Sequence, residues 1–318
     1  MAKRRAAVLA LCAWLGSCAG PQAGENRVIP GSLEHGGFER QYLLYVPSGI
    51  AERATPRPLL IVLHGGGGTA RGMLRLTNGR FNELADEHGF FVVYPQGVGR
   101  AWNDGRAEPT SRAHMQRIDD VAFIDALIDR LSGEYPIDAR RVFSTGISNG
   151  GLMSFRLACR AEPRVRAIAP VTASLPLAIA DQCDRGAGVA LALFNGTDDP
   201  LVPYDGGAIR AFGRDRGEVL STGETIAIWI ARNGCDDEPE RSMRADSSDD
   251  GTRVETISYR ECRSRAPVIL YRVVGGGHTW PGGRQYLGER RIGRTSRDID
   301  ACDEIWTFFA GLSPPQAE

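Results

Sequence analysis

Residues 141–152, RVFSTGISNGGL, place Ser148 between Gly146 and Gly150 at G-x-S-x-G spacing. A serine hydroxyl can be thrust out of a sharp strand-to-helix turn only where the residues two before and two after lack bulky side chains. Both positions here are glycine. With 39 glycines in 318 residues, chance alone supplies roughly 0.26 such matches, so the surroundings must carry the reading. Arg141 to Thr145 is a short run with β-branched and aromatic residues after a turn at Asp138, which predicts a buried strand. Asn149 to Arg160 carries Leu152, Phe155, Leu157 and Ala158 at near-helical spacing and predicts a helix. Strand, turn and helix together make Ser148 a candidate nucleophile.

Outward from this turn, the chain alternates apolar runs with amphipathic stretches. After an opening hairpin within Gly31 to Val46, Leu59 to Leu63 (LLIVL) is continuously apolar, as in a strand buried on both faces of a parallel sheet. It ends in His64-Gly65-Gly66-Gly67-Gly68, an HGGG-type loop whose backbone N–H groups can approach an oxyanion closely. A phosphate loop would need Lys-Ser or Lys-Thr next, and Thr69-Ala70-Arg71 follows instead. A helix over Gly79 to His88 and a strand at Phe90 to Tyr94 come next. The loop Pro95 to Arg106 then lies at a strand's carboxyl end, where ligands sit in open α/β sheets. Asp119 to Leu131 spaces its apolar residues as an amphipathic helix.

Beyond the elbow, Ala167 to Val171, Val189 to Phe194 and Val268 to Val274 predict further buried strands, the last followed by Gly275-Gly276-Gly277-His278. Helices are expected within Glu218 to Asn233 and over Asp298 to Phe309. Cys235 to Gly251 reads as a solvated acidic loop, without the glycine-punctuated spacing of a calcium site. The pattern is an α/β fold with a mostly parallel central sheet and helices on both faces, in one catalytic domain over residues 28–314 with no separate lid or binding domain.

Composition sets the outer bounds. The chain is 42% hydrophobic and 24% charged, ordinary globular values. Lys3, Arg4 and Arg5 precede an apolar run from Ala6 to Leu15, the pattern of a secretory signal over residues 1–19. Leu15-Gly16-Ser17-Cys18 also fits a lipobox, so a lipid anchor at Cys18 competes with a soluble secreted product. The formal charge of −1 falls to about −4 once the leader's three cations are gone, and nothing points to nucleic acid. Export leads the mature cysteines to pair. Nearest-neighbour pairing joins Cys159 with Cys183 and Cys235 with Cys262 and leaves Cys302 free; none of them has metal-site spacing.

A serine nucleophile needs an adjacent base held in the right tautomer by a buried acid. In the order Ser, Asp or Glu, His, the base lies C-terminal to the serine, and of His35, His64, His88, His114 and His278 only His278 does. For the acid, Asp199 is preferred from its place after Gly196, with Asp198 and Asp205 as competitors. Trp102 and Trp280, on loops expected to face Ser148, are candidate substrate walls, which would suit an aryl acyl group or a sugar ring.

Six collinear stretches, HGGGG, WNDG, DDVAFIDALID, YPIDARRVFSTGISNGG, GTDDPLVPYDGG and GGGHTWPGG, resemble the esterase family that groups polyhydroxybutyrate depolymerases with feruloyl and acetylxylan esterases. The likeness runs over roughly residues 30–312. It implies an α/β-hydrolase fold, a Ser148, Asp199 and His278 triad, and an oxyanion hole made by the Asn149 N–H with that of Gly66 or Gly67. It implies no metal or organic cofactor. Asn195 departs from the family, which often has histidine there, and Cys302 is additional to its paired cysteines. The expected substrates are soluble feruloyl, acetyl or hydroxybutyrate-oligomer esters, polysaccharide-linked ones included, since the chain ends at Glu318 just past its closing helix. An envelope acyltransferase, a depolymerase acting on solid polymer and a non-catalytic binding lipoprotein are the competing functions.

Overall fold

The computed structural model describes residues 28–49, 55–107, 111–183, 186–211, 213–236 and 238–312. The leader and Cys18 lie outside the described residues. The hairpin β1 (Val28–His35) and β2 (Phe38–Tyr45) turns at Gly36-Gly37. Next come β3 (Arg57–Leu63), α1 (Ala70–Leu76), α2 (Arg80–His88), β4 (Phe91–Pro95), α3 (Arg112–Met115) and α4 (Asp120–Glu134). The elbow joins β5 (Ile137–Ile147) to α5 (Asn149–Ala158), followed by β6 (Ala167–Val171), α6 (Ala180–Cys183) and β7 (Ala190–Gly196). The remainder is β8 (Gly207–Ala211), β9 (Arg214–Val219), α7 (Thr222–Asn233), β10 (Glu240–Met243), β11 (Arg253–Tyr259), β12 (Val268–Val274), α8 (Glu289–Ile292) and α9 (Ala301–Ala310).

Among the described residues, ten strands form one sheet in the order β1-β2-β4-β3-β5-β6-β7-β12-β11-β10, with β8 and β9 paired separately. The centre, β4 through β12, is parallel; both flanks are antiparallel. This is the α/β-hydrolase arrangement. β3 shows why its sequence is a continuous apolar run. Leu59, Ile61 and Leu63 enter one core layer and Leu60 and Val62 the other, because alternate side chains leave a strand on opposite faces. The first layer packs against α4, α5 and α7, the second against α1, α2 and α9.

Local chemistry sets the helix ends. The Asp119 side chain accepts from Ala122 N–H at the start of α4. Ser221 and Glu224 make a reciprocal capping box on α7, which stops at Gly234 in the left-handed region. One buried ion pair binds three parts of the chain. Arg40 on β2 meets Asp120 on α4 at 2.6 Å, and the other Asp120 oxygen accepts the Asn103 N–H at 2.7 Å. The loop over the site is thereby fixed to the sheet. Burial pushes the Asp120 carboxyl up despite Arg40, as expected where desolvation opposes the pair's attraction.

Among the described residues, eight elements lie where the sequence predicts none: the strands β8, β9, β10 and β11 and the short helices α1, α3, α6 and α8. The stretch expected to be a loop over 235–251 contains β10, whose four residues are all exposed. β11, in which polar Glu255 and Ser258 fall among apolar residues, was not anticipated, nor were the β8–β9 hairpin and α1. In consequence β12 is the last strand in sequence but an interior one in space.

Both expected disulfides are present, Cys159–Cys183 and Cys235–Cys262, while Cys302 is a buried thiol. Such bridges mark a chain that folds in an oxidising compartment. The Cys235–Cys262 bridge closes a loop with a sequence separation of 27, which in the chain-entropy account is worth about 3 to 4 kcal/mol. Replacing both cysteines by alanine is expected to lower the unfolding free energy by about that much in urea denaturation.

Candidate active site

The β5 to α5 turn is as tight as its glycines imply. A Cβ on Gly150 would lie 2.3 Å from the Leu63 carbonyl oxygen, and one on Gly146 would lie 2.6 Å from the same atom. The turn is therefore pressed onto the end of β3. Ser148 sits at its apex with φ 54° and ψ −123°, a sparsely populated conformation for a side-chain-bearing residue. It is held by its N–H donating to the Val171 carbonyl and by its own carbonyl accepting from Leu152 N–H.

Opposite the apex runs the loop that follows β3. Gly67 N–H donates to the Arg100 carbonyl at 2.7 Å and Gly68 N–H to the Gly65 carbonyl at 2.9 Å. Among the described residues neither the Gly66 N–H nor the Asn149 N–H, at the first turn of α5, has such a partner. A Cβ on Gly66 would lie 3.7 Å from Asn149 Cβ, so these two donors belong to adjacent backbone. Of the pair Gly66 or Gly67, then, the Gly67 N–H is already engaged.

His64 fastens this loop. Its Nε2 accepts from Gly97 N–H at 3.0 Å, which requires the proton on Nδ1, and Nδ1 donates to the Gly65 carbonyl at 2.8 Å. Burial, with Arg100's charge adding to it and the Gly65 bond opposing it, lowers this imidazole to about 4. His64 is therefore neutral in ordinary buffers.

His278 follows β12, and Asp199 follows β7, the neighbouring strand. His278 Nδ1 donates to Asp199 Oδ2 at 2.7 Å with both side chains buried. The other Asp199 oxygen accepts from Leu201 and Val202 N–H at 2.8 and 2.9 Å. The competitors face away: Asp198 is exposed and bonded to Thr197, and Asp205 is exposed. Tyr286 donates its hydroxyl to the His278 carbonyl at 2.9 Å. Burial and the charge of Asp199 raise this phenol, so it keeps its proton.

Ser148, Asn149, His278 and Gly65 to Gly68 line one cavity of about 730 Å³. Its apolar wall includes Met73, Leu76, Leu152, Leu201 and Ile209, and β8–β9 contributes Ala211 and Arg216.

Trp102 and Trp280 correct the expected substrate walls, for both are fully buried and neither lines the cavity. Trp102 lies behind the glycine loop, its Nε1–H donating to the His64 carbonyl at 2.9 Å. Trp280, two residues past His278, turns into the core and meets Phe81 edge to face at 6.0 Å. Burial of a loop tryptophan leaves no mark in the sequence.

The sequence reading also passed over a buried cluster behind Asn149. The Asn149 amide donates to Asp104 Oδ2 at 2.6 Å and to the Trp102 carbonyl at 3.0 Å, and its oxygen accepts the Trp102 N–H. Asp104 in turn pairs with Arg106 at 2.8 Å and with His114 at 2.9 Å. Burial alone would raise the Asp104 carboxyl, but these two partners hold it well below the usual carboxylate range. WNDG carried this signal. Its tryptophan drew attention while its aspartate did the anchoring. Asn195, the departure from the family pattern, bonds Ser174, Thr222 and the Ala173 N–H and so ties the end of β7 to the segment after β6 and to the start of α7.

The chain is 31% identical to NocK of Nocardia uniformis subsp. tsuyamanensis, named as an esterase, over 86% of this chain and 80% of that one. It is 28% identical to feruloyl esterase C of Emericella nidulans over 76% of this chain and 82% of that one. The chain belongs to the feruloyl-esterase-like family. This esterase also falls within a family model described as X-Pro dipeptidyl-peptidase (S15 family) over residues 45–223, a span that holds Ser148 and Asp199 and ends before His278. Its fold matches that of the acetyl xylan esterase from Aspergillus awamori, with a TM-score of 0.54 and 16% identity over 85% of this chain and 94% of the other. The esterase is a carboxylic ester hydrolase.

His64 gives the esterase a pH signature. In the unfolded chain this imidazole takes a proton as the pH falls through about 6.5, whereas in the folded chain it resists until about 4. The unfolded state binds the extra proton across that window, so stability present above about 6.5 is lost as the pH falls towards 4. The expected loss is about 3 kcal/mol. Urea denaturation at pH 7 and pH 4.2 should show a smaller acid loss for His64→Gln, by about that amount.

Proposed function

We propose that this is an exported serine esterase working through Ser148, His278 and Asp199 and an acyl-enzyme. The observation that carries the reading is the buried His278 to Asp199 hydrogen bond beside a cavity shared by His278 and Ser148. Asp199 holds the proton on Nδ1, which leaves the Nε2 lone pair as the base. Nε2 takes the Ser148 proton as Oγ attacks the ester carbonyl. The oxyanion is met by the Gly66 and Asn149 N–H groups, held in place by His64 and by the Asp104 cluster. Collapse expels the alcohol, protonated by His278, and water then repeats the sequence on the acyl-enzyme.

The substrates proposed are soluble feruloyl, acetyl or hydroxybutyrate-oligomer esters, free or linked to polysaccharide. The names of the sequence relatives support the first two, and the cavity is of a size for small ligands. Export, with or without lipidation at Cys18, is part of the same proposal, and the mass of the mature amino terminus tests it.

Purified protein should hydrolyse 4-nitrophenyl acetate and methyl ferulate, and Ser148→Ala should lose about three or more orders of magnitude in kcat. Retained turnover in that variant would remove the nucleophile assignment. Asp199→Asn should cost about as much through the wrong tautomer of His278, whereas Asp198→Asn, at an exposed carboxylate, should stay within about threefold. X-Pro 4-nitroanilides are the control for peptidase chemistry, and cleavage of these in preference to esters would overturn the choice of bond.

A further inference from the structure

The cavity has a charge character that ester hydrolysis does not require. Four arginines line it, Arg100, Arg106, Arg112 and Arg216, and among the described residues no aspartate or glutamate does. Arginine is abundant in this chain, so the number of cations decides little. The missing carboxylates decide more. Acidic residues fill 39 of 318 positions, which would place about three in a lining of this size by chance.

Not all four cations are available. Arg106 is spent on Asp104 and on the Arg216 carbonyl. Arg100 and Arg112 differ, since both are exposed and their side-chain bonds go to neutral groups. Arg100 Nε donates to the Gly68 carbonyl at 3.3 Å, and Arg112 Nε to the Gln116 amide oxygen at 3.0 Å. The two belong together. Gly99, with φ +62°, has its open face against the Arg112 stem, where an added Cβ would come within 2.9 Å of Arg112 Cβ. The Arg112 chain thus crosses the backbone next to Arg100. Both arginines are exposed members of the cavity lining, and Arg100 is bonded to the same glycine loop that carries the Gly66 N–H.

We infer that the esters this site prefers carry a carboxylate, received by Arg100 and Arg112 at the cavity rim while the ester carbonyl sits at Ser148. Guanidinium forks match carboxylate geometry with two N–H donors each. The neutral His64 behind them and the buried, paired Asp104 add no competing negative charge at the rim. This inference rests on the ester-hydrolase reading of Ser148. The carboxylate could sit on the acyl side, as in a hydroxyacid oligomer or dicarboxylic half-ester, or on the alcohol side, as in an ester of a uronic acid.

The test is the ratio of kcat/KM for a charged ester to that for its neutral methyl-capped isostere, which cancels general effects on turnover. One arm uses 4-nitrophenyl hemisuccinate against 4-nitrophenyl methyl succinate. The other uses 4-(carboxymethyl)phenyl acetate against its methyl ester. In at least one arm Arg112→Ala should lower the charged-to-neutral ratio about tenfold, Arg112→Glu should lower it further, and Arg100→Ala/Arg112→Ala should remove the dependence of the ratio on salt between about 0.02 and 0.5 M. The arm that responds identifies which side of the ester bears the charge. Ratios unchanged by all three variants in both arms, with turnover intact, would overturn the inference and leave the esterase reading standing. No turnover of any of the four esters by the parent protein would overturn both.

Discussion

Everything at the site depends on how closely the elbow approaches the end of β3. The Leu63 carbonyl lies where side chains at 146 and 150 would otherwise be, so the serine-bearing turn and the glycine loop share one contact. Because they touch there, the Gly66 and Asn149 donors lie next to each other. The contact also forces Ser148 into its uncommon backbone angles, and the cost of holding it there, of order 1 to 3 kcal/mol, is met by packing on both sides. α5 supplies much of that packing, with nearly every residue buried.

A second layer of buried polar groups keeps the first in register. His64 and Trp102 secure the glycine loop, Asp104 secures Asn149, and Asp120 with Arg40 secures Asn103 beside them. The three anchors all meet the loop over residues 96–106, which, after the Gln96 N–H bond to the Gln41 carbonyl of β2, makes no further strand pairing among the described residues. A loop at a sheet's carboxyl end is thus held by side chains and not by a backbone ladder. Such half-satisfied networks are costly, and Arg40 keeps two nitrogens without a partner. The position of the loop is what that cost secures.

How much of this was legible in the sequence follows from burial. β3, β6 and β7 lie inside the parallel part of the sheet with both faces covered, so each carries a continuous apolar run, and β12 at its border is apolar but for Arg272. β10 and the β8–β9 hairpin lie at an edge or outside the sheet, so charge is tolerated on them and they look like loops. Chain order and glycine spacing are constraints on sequence, which is why the two residues they single out, Ser148 and His278, are ones the fold brings to a single cavity. Asp199 against Asp198 turned on which carboxylate points under β12, a matter of one residue's rotation around a turn. Gly66 against Gly67 turned on a bond to Arg100, more than thirty residues away. The tryptophans misled because a large aromatic on a loop reads the same whether it faces a ligand or closes the core behind one.

The β8–β9 hairpin stands apart from the rest of the architecture. Among the described residues it pairs only with itself in regular strand ladders, yet it lends Ile209, Ala211 and Arg216 to the cavity and is bonded by Arg106. Ile209 and Val219 tie the hairpin to the core, and its other residues answer to solvent or to whatever enters the cavity. Exchanging the exposed residues of this hairpin would therefore re-cut one wall of the cavity while leaving the main sheet and the surroundings of Ser148 as they are.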